Sequence, residues 1–159
     1  MTNKLPLVLL GKARVPGKKG LDARDDWPGC EVWTVGTAKI NGADRYYEFH
    51  GLDFAGRAMT RQRSPDAERL GRIIPLNNSI SAMLMEAYIE GYRDIRIAGC
   101  PMTASDEYIA QARSVAMAVG FLRGMSYARG RAWQIKVVWD DEPARLDYFR
   151  IHQNGDNHQ

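Results

Sequence analysis

The stretch NNSISAMLMEAYIEGYRDIRIAGCPMTASDEYIAQARSVAMAVGFLRG, residues 77–124, spells a helix, a strand and a second helix in direct succession. Within residues 79–90, Ile80, Met83, Leu84, Ala87 and Tyr88 recur at three- and four-residue spacing, which predicts a helix with one apolar face. Asn77, Asn78 and Ser79 are all N-cap residue types at its start, and Gly91 is a stop. Residues 94–98 (DIRIA) alternate polar and apolar and end at Gly99, the pattern of a strand. From Asp106 to Arg129, Tyr108, Ala112, Val115, Val119 and Leu122 repeat at 4-3-4-3 spacing. Ser105 can cap this longer helix, and Asp106 and Glu107 suit the positive end of its dipole. Gly120 and Gly124 weaken its second half, so a kink or close packing is expected there.

The same alternation extends in both directions. Leu5–Leu10 is an unbroken apolar run ending at Gly11, which suits a strand buried on both faces. Residues 31–35 (EVWTV), 45–50 (RYYEFH) and 134–139 (QIKVVW) read as further strands, and 72–76 (RIIPL) as a weaker one because Pro75 cannot donate to a ladder. Strands alternating with helices predict an α/β layer fold, a three-layer sandwich around a mainly parallel sheet. Residues 1–151 form one domain on this reading, and 152–159 a polar tail that frays.

Composition narrows the classes. The chain has 159 residues, 45% of them apolar and 26% charged, close to the average for globular proteins. Its net charge of +3 is too small to argue for nucleic acid. Cys30 and Cys100 make no CxxC pair, so neither a zinc ribbon nor a disulfide scaffold organises the fold. No apolar run approaches a membrane span, and the run at 5–10 is shorter than the core of a secretory signal. A cytoplasmic, reduced protein is the expectation. The turn GKARVPG after the first strand holds Gly11 and Gly17 but neither GxGxxG nor a P-loop.

Four segments, VLLGKARVPG, EVWTVGTA, ADRYYEFHGLD and the stretch quoted first, occur in an order that resembles a Rossmann-like group of phage and prophage proteins. That group is similar to the pterin pyrophosphokinase-like (MptE-like) proteins and, more remotely, to small bacterial sialyltransferases. The resemblance implies a nucleotide or nucleotide-linked small molecule bound at the carboxyl ends of the strands, and transfer of a glycosyl or pyrophosphoryl group if the chain is an enzyme. In the related enzymes a Gly-rich first turn precedes an Asn after the second strand. Here that turn keeps Gly11 and Gly17, and Gly36 stands at the Asn position. The departure favours a binding protein that kept the pocket without the chemistry.

The candidate site follows from residue types at strand ends. Gly11, Lys12 and Arg14 after the first strand, Gly36 after the second, and Asn77, Asn78 and Ser79 at a helix start are the expected ligand-binding set. Free N–H groups at a helix start take a phosphate or carboxylate. Glu48 and His50 lie two apart on one strand, so both project to one face, where the carboxylate can orient the histidine for general acid–base work. The plain alternative is a surface pair opposite a core-facing Tyr47 and Phe49. Asp106 with Glu107 can hold a magnesium ion, and so can Asp140, Asp141 and Glu142, but dipole compensation and exposed loop charge are the simpler readings, and no metal ligand is assigned. Cys100 reads as a small buried apolar residue. A homodimer is expected from the wide apolar set of the long helix. The alternative to ligand binding is a non-catalytic phage structural or interaction protein that oligomerises through that helix, along the seam Tyr108, Ala112, Val115, Val119 and Leu122.

Overall fold

The computed structural model of the protein describes residues 4–13, 23–35, 40–48, 59–60, 69, 72, 76, 78–102, 106–129 and 135–140. The strands are β1 (Leu7–Leu10), β2 (Glu31–Val35), β3 (Arg45–Tyr47), β4 (Met59–Thr60), β5 (Asp94–Ala98) and β6 (Lys136–Trp139). The helices are α1 (Ala23–Asp26), α2 (Ser79–Ile89) and α3 (Asp106–Arg129). The strands form one sheet in the order β4-β3-β2-β1-β5-β6, and every neighbouring pair is parallel. The chain therefore starts in the middle, walks outward to β4, then crosses back to lay β5 and β6 on the other side of β1. This is a Rossmann-like α/β fold.

The continuous apolar run of β1 has its cause in this order. Leu7, Val8, Leu9 and Leu10 are all buried, because β1 is flanked by β2 and β5 and covered on both faces. Leu7 and Leu9 join Trp33, Tyr47, Ile95, Ile97, Val137 and Trp139 on the face packed by α2 and α3. Val8, Leu10, Val32 and Ala98 meet Trp27 on the other face, just after α1. The edge strand β6 shows the opposite pattern, with Val137 and Trp139 buried and Lys136 and Val138 exposed.

Several elements differ from the sequence reading. The strand expected at 45–50 ends at Tyr47, with Glu48 following it. At the expected strand 72–76, Arg72 lies in a turn and Leu76 in buried coil, in keeping with Pro75; residues 73–75 lie outside the described residues. Helix α2 is not one-faced. Residues 80–87 are all buried, Ser81 and Glu86 included, because α3 packs beside α2 while the sheet takes its other side. The two helices run in the same direction. The Asn78 side-chain amide donates to the Gln111 carbonyl at 3.0 Å, and the Ser114 hydroxyl to that of Ser81 at 3.1 Å.

The end of α2 is shaped by Gly91, whose φ of 93° is open to glycine at little cost. The Tyr92 N–H bonds the Ala87 carbonyl at 3.0 Å and the Gly91 N–H the Tyr88 carbonyl at 3.1 Å, a Schellman closure. It turns Tyr92 into the core edge-on to Trp33, at 5.2 Å between ring centroids.

The seam Ala112, Val115, Val119 and Leu122 belongs to the core, so it is not free to form an oligomer interface; Tyr108 alone of that set is exposed. The sheet takes the seam, as expected of a crossover helix on a parallel sheet.

Candidate functional site

The order β2-β1-β5 makes the gap between β1 and β5 the point where the chain reverses its direction of travel across the sheet. In open parallel sheets, ligands bind outside the carboxyl ends of the strands at such a point. Helix α2 ends at the amino edge, where Gly91 to Arg93 lead into β5, so its start lies at the carboxyl edge. Since α3 runs alongside in the same direction, the positive ends of both dipoles face that edge.

The first turn is pinned there. The Gly11 N–H donates to the Ala98 carbonyl at 2.9 Å and the Ala13 N–H to the Gly99 carbonyl at 3.0 Å, continuing the β1–β5 ladder past the strands. A Cβ on Gly11 would fall inside 3.0 Å of both the Gly99 carbonyl oxygen and the Cys100 sulfur. The space left by the missing Cβ of Gly11, a residue expected at the ligand, is taken by Gly99 and Cys100 just after β5. The Thr34 hydroxyl donates to the Leu10 carbonyl at 2.9 Å and ties the end of β2 to the same corner. Beyond β5 the backbone takes left-handed conformations at Gly99 (φ 65°) and at Met102 (φ 49°), the latter uncommon for a residue with a side chain. Cys100 is buried with its thiol directed at the Ala98 carbonyl, 3.4 Å away, as a small core residue.

Of the expected binding residues, Lys12 is exposed beside this corner. Asn78 is the N-cap of α2: its side-chain oxygen accepts from the Ser81 N–H at 2.9 Å while its amide reaches α3. Its polar atoms thus hold the two helix starts together. Ser79 is half-buried in the first turn. Glu48, just after β3, is buried. Arg14, Gly36, His50 and Asn77 lie outside the described residues. So do the side chains of Asp106 and Glu107. Asp140 receives the Arg96 guanidinium on both oxygens, at 2.7 and 2.8 Å, and Arg96 lies over the Trp27 ring. Among the described residues, no three His, Cys, Asp or Glu side chains converge as a metal site would require.

A polar network that the sequence reading missed lies at the opposite, amino edge. Glu31 opens β2 and Arg45 opens β3, while Glu90 ends α2. Arg45 grips both oxygens of Glu90, at 2.5 and 2.8 Å, and lies 4.4 Å over the Trp33 ring. Glu31 accepts from the Trp33 indole at 2.7 Å and from the Tyr92 hydroxyl. Lys4 adds an ion pair to Glu90 and covers the Tyr92 ring. Burial pushes the Glu31 carboxyl up, but the hydrogen bonds from Tyr92 and Trp33 and the charges of Arg45 and Lys4 outweigh it and hold it below its ordinary 4.5. Burial pushes the Tyr47 hydroxyl up to about 12, against the opposing hydrogen bond to Arg45. Tyr92 is raised as well, first by burial and then by its bond to Glu31. Perturbed groups often mark active sites. Here each carboxylate is met by donors from the chain itself, and the network stands at the wrong end of the sheet for a ligand, so it is structural.

That network sets a pH dependence. Glu31 has a lower pKa folded than unfolded, so its contribution is complete above about 4.5 and is lost as pH falls through the lower folded value. Tyr47 has a higher pKa folded than unfolded, so its contribution is complete below 10.0 and is lost as pH rises towards about 12. Urea melts across pH should show a plateau with both limbs. Tyr92→Phe, which removes a donor to Glu31, should move the acid limb to higher pH. An acid limb identical to that of the parent protein would contradict the assignment.

No family model matches the chain, and no curated protein or solved structure does so either.

Proposed function

We propose that the protein binds a nucleotide or nucleotide-linked small molecule outside the carboxyl ends of β1 and β5, with the ligand's anionic group facing the starts of α2 and α3. The observation that carries this reading is the switch point itself: the β1–β5 junction with two helices running side by side, their positive ends towards it. Lys12, exposed just after β1, supplies a mobile cation there. Ser79, in the first turn of α2, supplies a hydroxyl. If turnover accompanies binding, Glu48 with His50 is the acid–base pair, and group transfer is the reaction class. A binding protein without turnover fits the same geometry.

A thermal-shift panel of nucleoside mono-, di- and triphosphates and nucleotide sugars, with and without magnesium, tests the reading. At a hundredfold excess over Kd a true ligand stabilises by about 2.7 kcal/mol, or roughly 5–10 °C for a chain of this size. Lys12→Ala should weaken the best hit roughly tenfold, since hydrogen bonds to charged groups contribute about 1.5–3 kcal/mol. A flat response to the whole panel would refute the proposal. Asn78→Ala is unsuited to this test, because losing the cap costs about 0.5–2 kcal/mol by itself.

The alternative reading, assembly through the long helix, is favoured by one observation. Ile109, Met117 and Tyr127 of α3 are exposed on the side turned away from the sheet.

A further inference from the structure

We infer that α3 pairs with α3 of a second copy of this chain, antiparallel across a two-fold axis, through its outward face. The inference makes the assembly reading specific and is independent of the ligand reading. Among the described residues, four of the six exposed large apolar side chains lie on α3, and two of them, Met117 and Tyr127, belong to a regular outward face. Ala110, Arg113, Met117, Gly120, Gly124 and Tyr127 are all exposed and repeat at 3-4-3-4-3 spacing, the period of a helix–helix seam. Met117 is 51% and Tyr127 91% exposed, and a Cβ at Gly120 or Gly124 would touch nothing within 4 Å. The inward seam of the same helix is already used by the sheet, so this second seam is surplus to the fold.

The occupant is specified by the order of sizes along the face. A two-fold axis midway between Met117 and Gly120 sets each residue against a partner in reverse order. Met117 then meets Gly120, Arg113 meets Gly124, and Tyr127 meets Ala110, a large side chain against a small one each time. A self-complementary set of this kind is what an isologous interface requires. The two glycines let the axes approach towards the close end of the usual 8–10 Å. Charge agrees as well. Arg113 is the one charged residue in the seam, and a helical side chain leans towards its own N-terminus. In the antiparallel pair that direction carries its guanidinium to the last turn of the partner helix, where the dipole is negative. A parallel pair would instead bring the two Arg113 side chains together. From Ala110 to Tyr127 the face is roughly 26 Å by 10 Å, well under the ~800 Å² per partner of a standard stable interface. The dimer is accordingly reversible, with dissociation in the micromolar range.

Light scattering over a concentration series, on the parent protein and on Met117→Glu, tests this, with circular dichroism to confirm that the variant is folded. The parent should pass from monomer to dimer across the micromolar range, and Met117→Glu should weaken association roughly tenfold or more, since it buries a charge against Gly120 of the partner. Orientation is read from spin labels on Ala128→Cys in a Cys30→Ser background. At 1.5 Å rise per residue, the antiparallel pair sets the two labelled backbones about 30 Å apart and a parallel pair about 10 Å. A parent protein that stays monomeric to several hundred micromolar, a Met117→Glu variant that associates as the parent does, or the short label distance would each overturn the inference.

Discussion

Trp33→Ala is expected to lower stability by about 3–5 kcal/mol, the range for truncating a large buried aromatic. Trp33 is fully buried in the middle of β2, tilted against Tyr47 at 5.3 Å and edge-on to Tyr92 at 5.2 Å, with Arg45 over its face. Its indole N–H also satisfies Glu31. Truncation therefore opens a cavity and takes a donor from the amino-edge network in one step. For a chain of this size the loss corresponds to roughly 6–20 °C in Tm, readable in a single melt. A shift of a degree or two would show that the aromatic cluster is not the keystone of this core.

Gly11→Ala is expected to cost about 1–3 kcal/mol, the range for forcing extra atoms into a packed interior. The added methyl would meet the Gly99 carbonyl and the Cys100 sulfur, and β1 cannot withdraw without breaking the Gly11–Ala98 and Ala13–Gly99 hydrogen bonds. Denaturant titration distinguishes this role from ligand approach. A variant with parental stability that fails to bind would show that Gly11 serves ligand approach alone, whereas lost stability identifies it as the contact that lets β1 and β5 close at the switch point. Gly11→Ala with Cys100→Ala should recover part of the loss, because the sulfur is one of the two obstructing atoms.

The parallel sheet was legible because its cause is local. An apolar run such as Leu7–Leu10 tolerates burial on both faces, and the helix–strand–helix order of residues 79–129 admits few other arrangements. What was not legible depends on partners distant in sequence. Glu31, Arg45 and Glu90 are 14 and 45 positions apart with no motif linking them, and only the register of β2 beside β3 and the closure of α2 bring them together. The pattern of α2 showed one apolar face, yet Ser81 and Glu86 are buried because α3 covers the rest. The apolar set of the long helix is wider than one packing face needs, and its pattern is compatible with the sheet taking either seam. Gly11 stood out as a strand-end glycine, while the reason for it lies 88 residues later, at Gly99. At the candidate site the strand ends were legible, and Asn78 proved to be a strut between helices as well as a cap.

The central claim is that a nucleotide binds at the β1–β5 switch point, and amide chemical-shift mapping with the strongest hit from the nucleotide panel addresses it directly. The expected result is a contiguous set of perturbed amides at Gly11–Ala13, Ser79–Ser81, Gly99, Cys100 and Met102, with Glu31, Arg45 and Tyr92 at the amino edge unmoved. Perturbation centred on the amino-edge network, or none at saturating nucleotide, would contradict it.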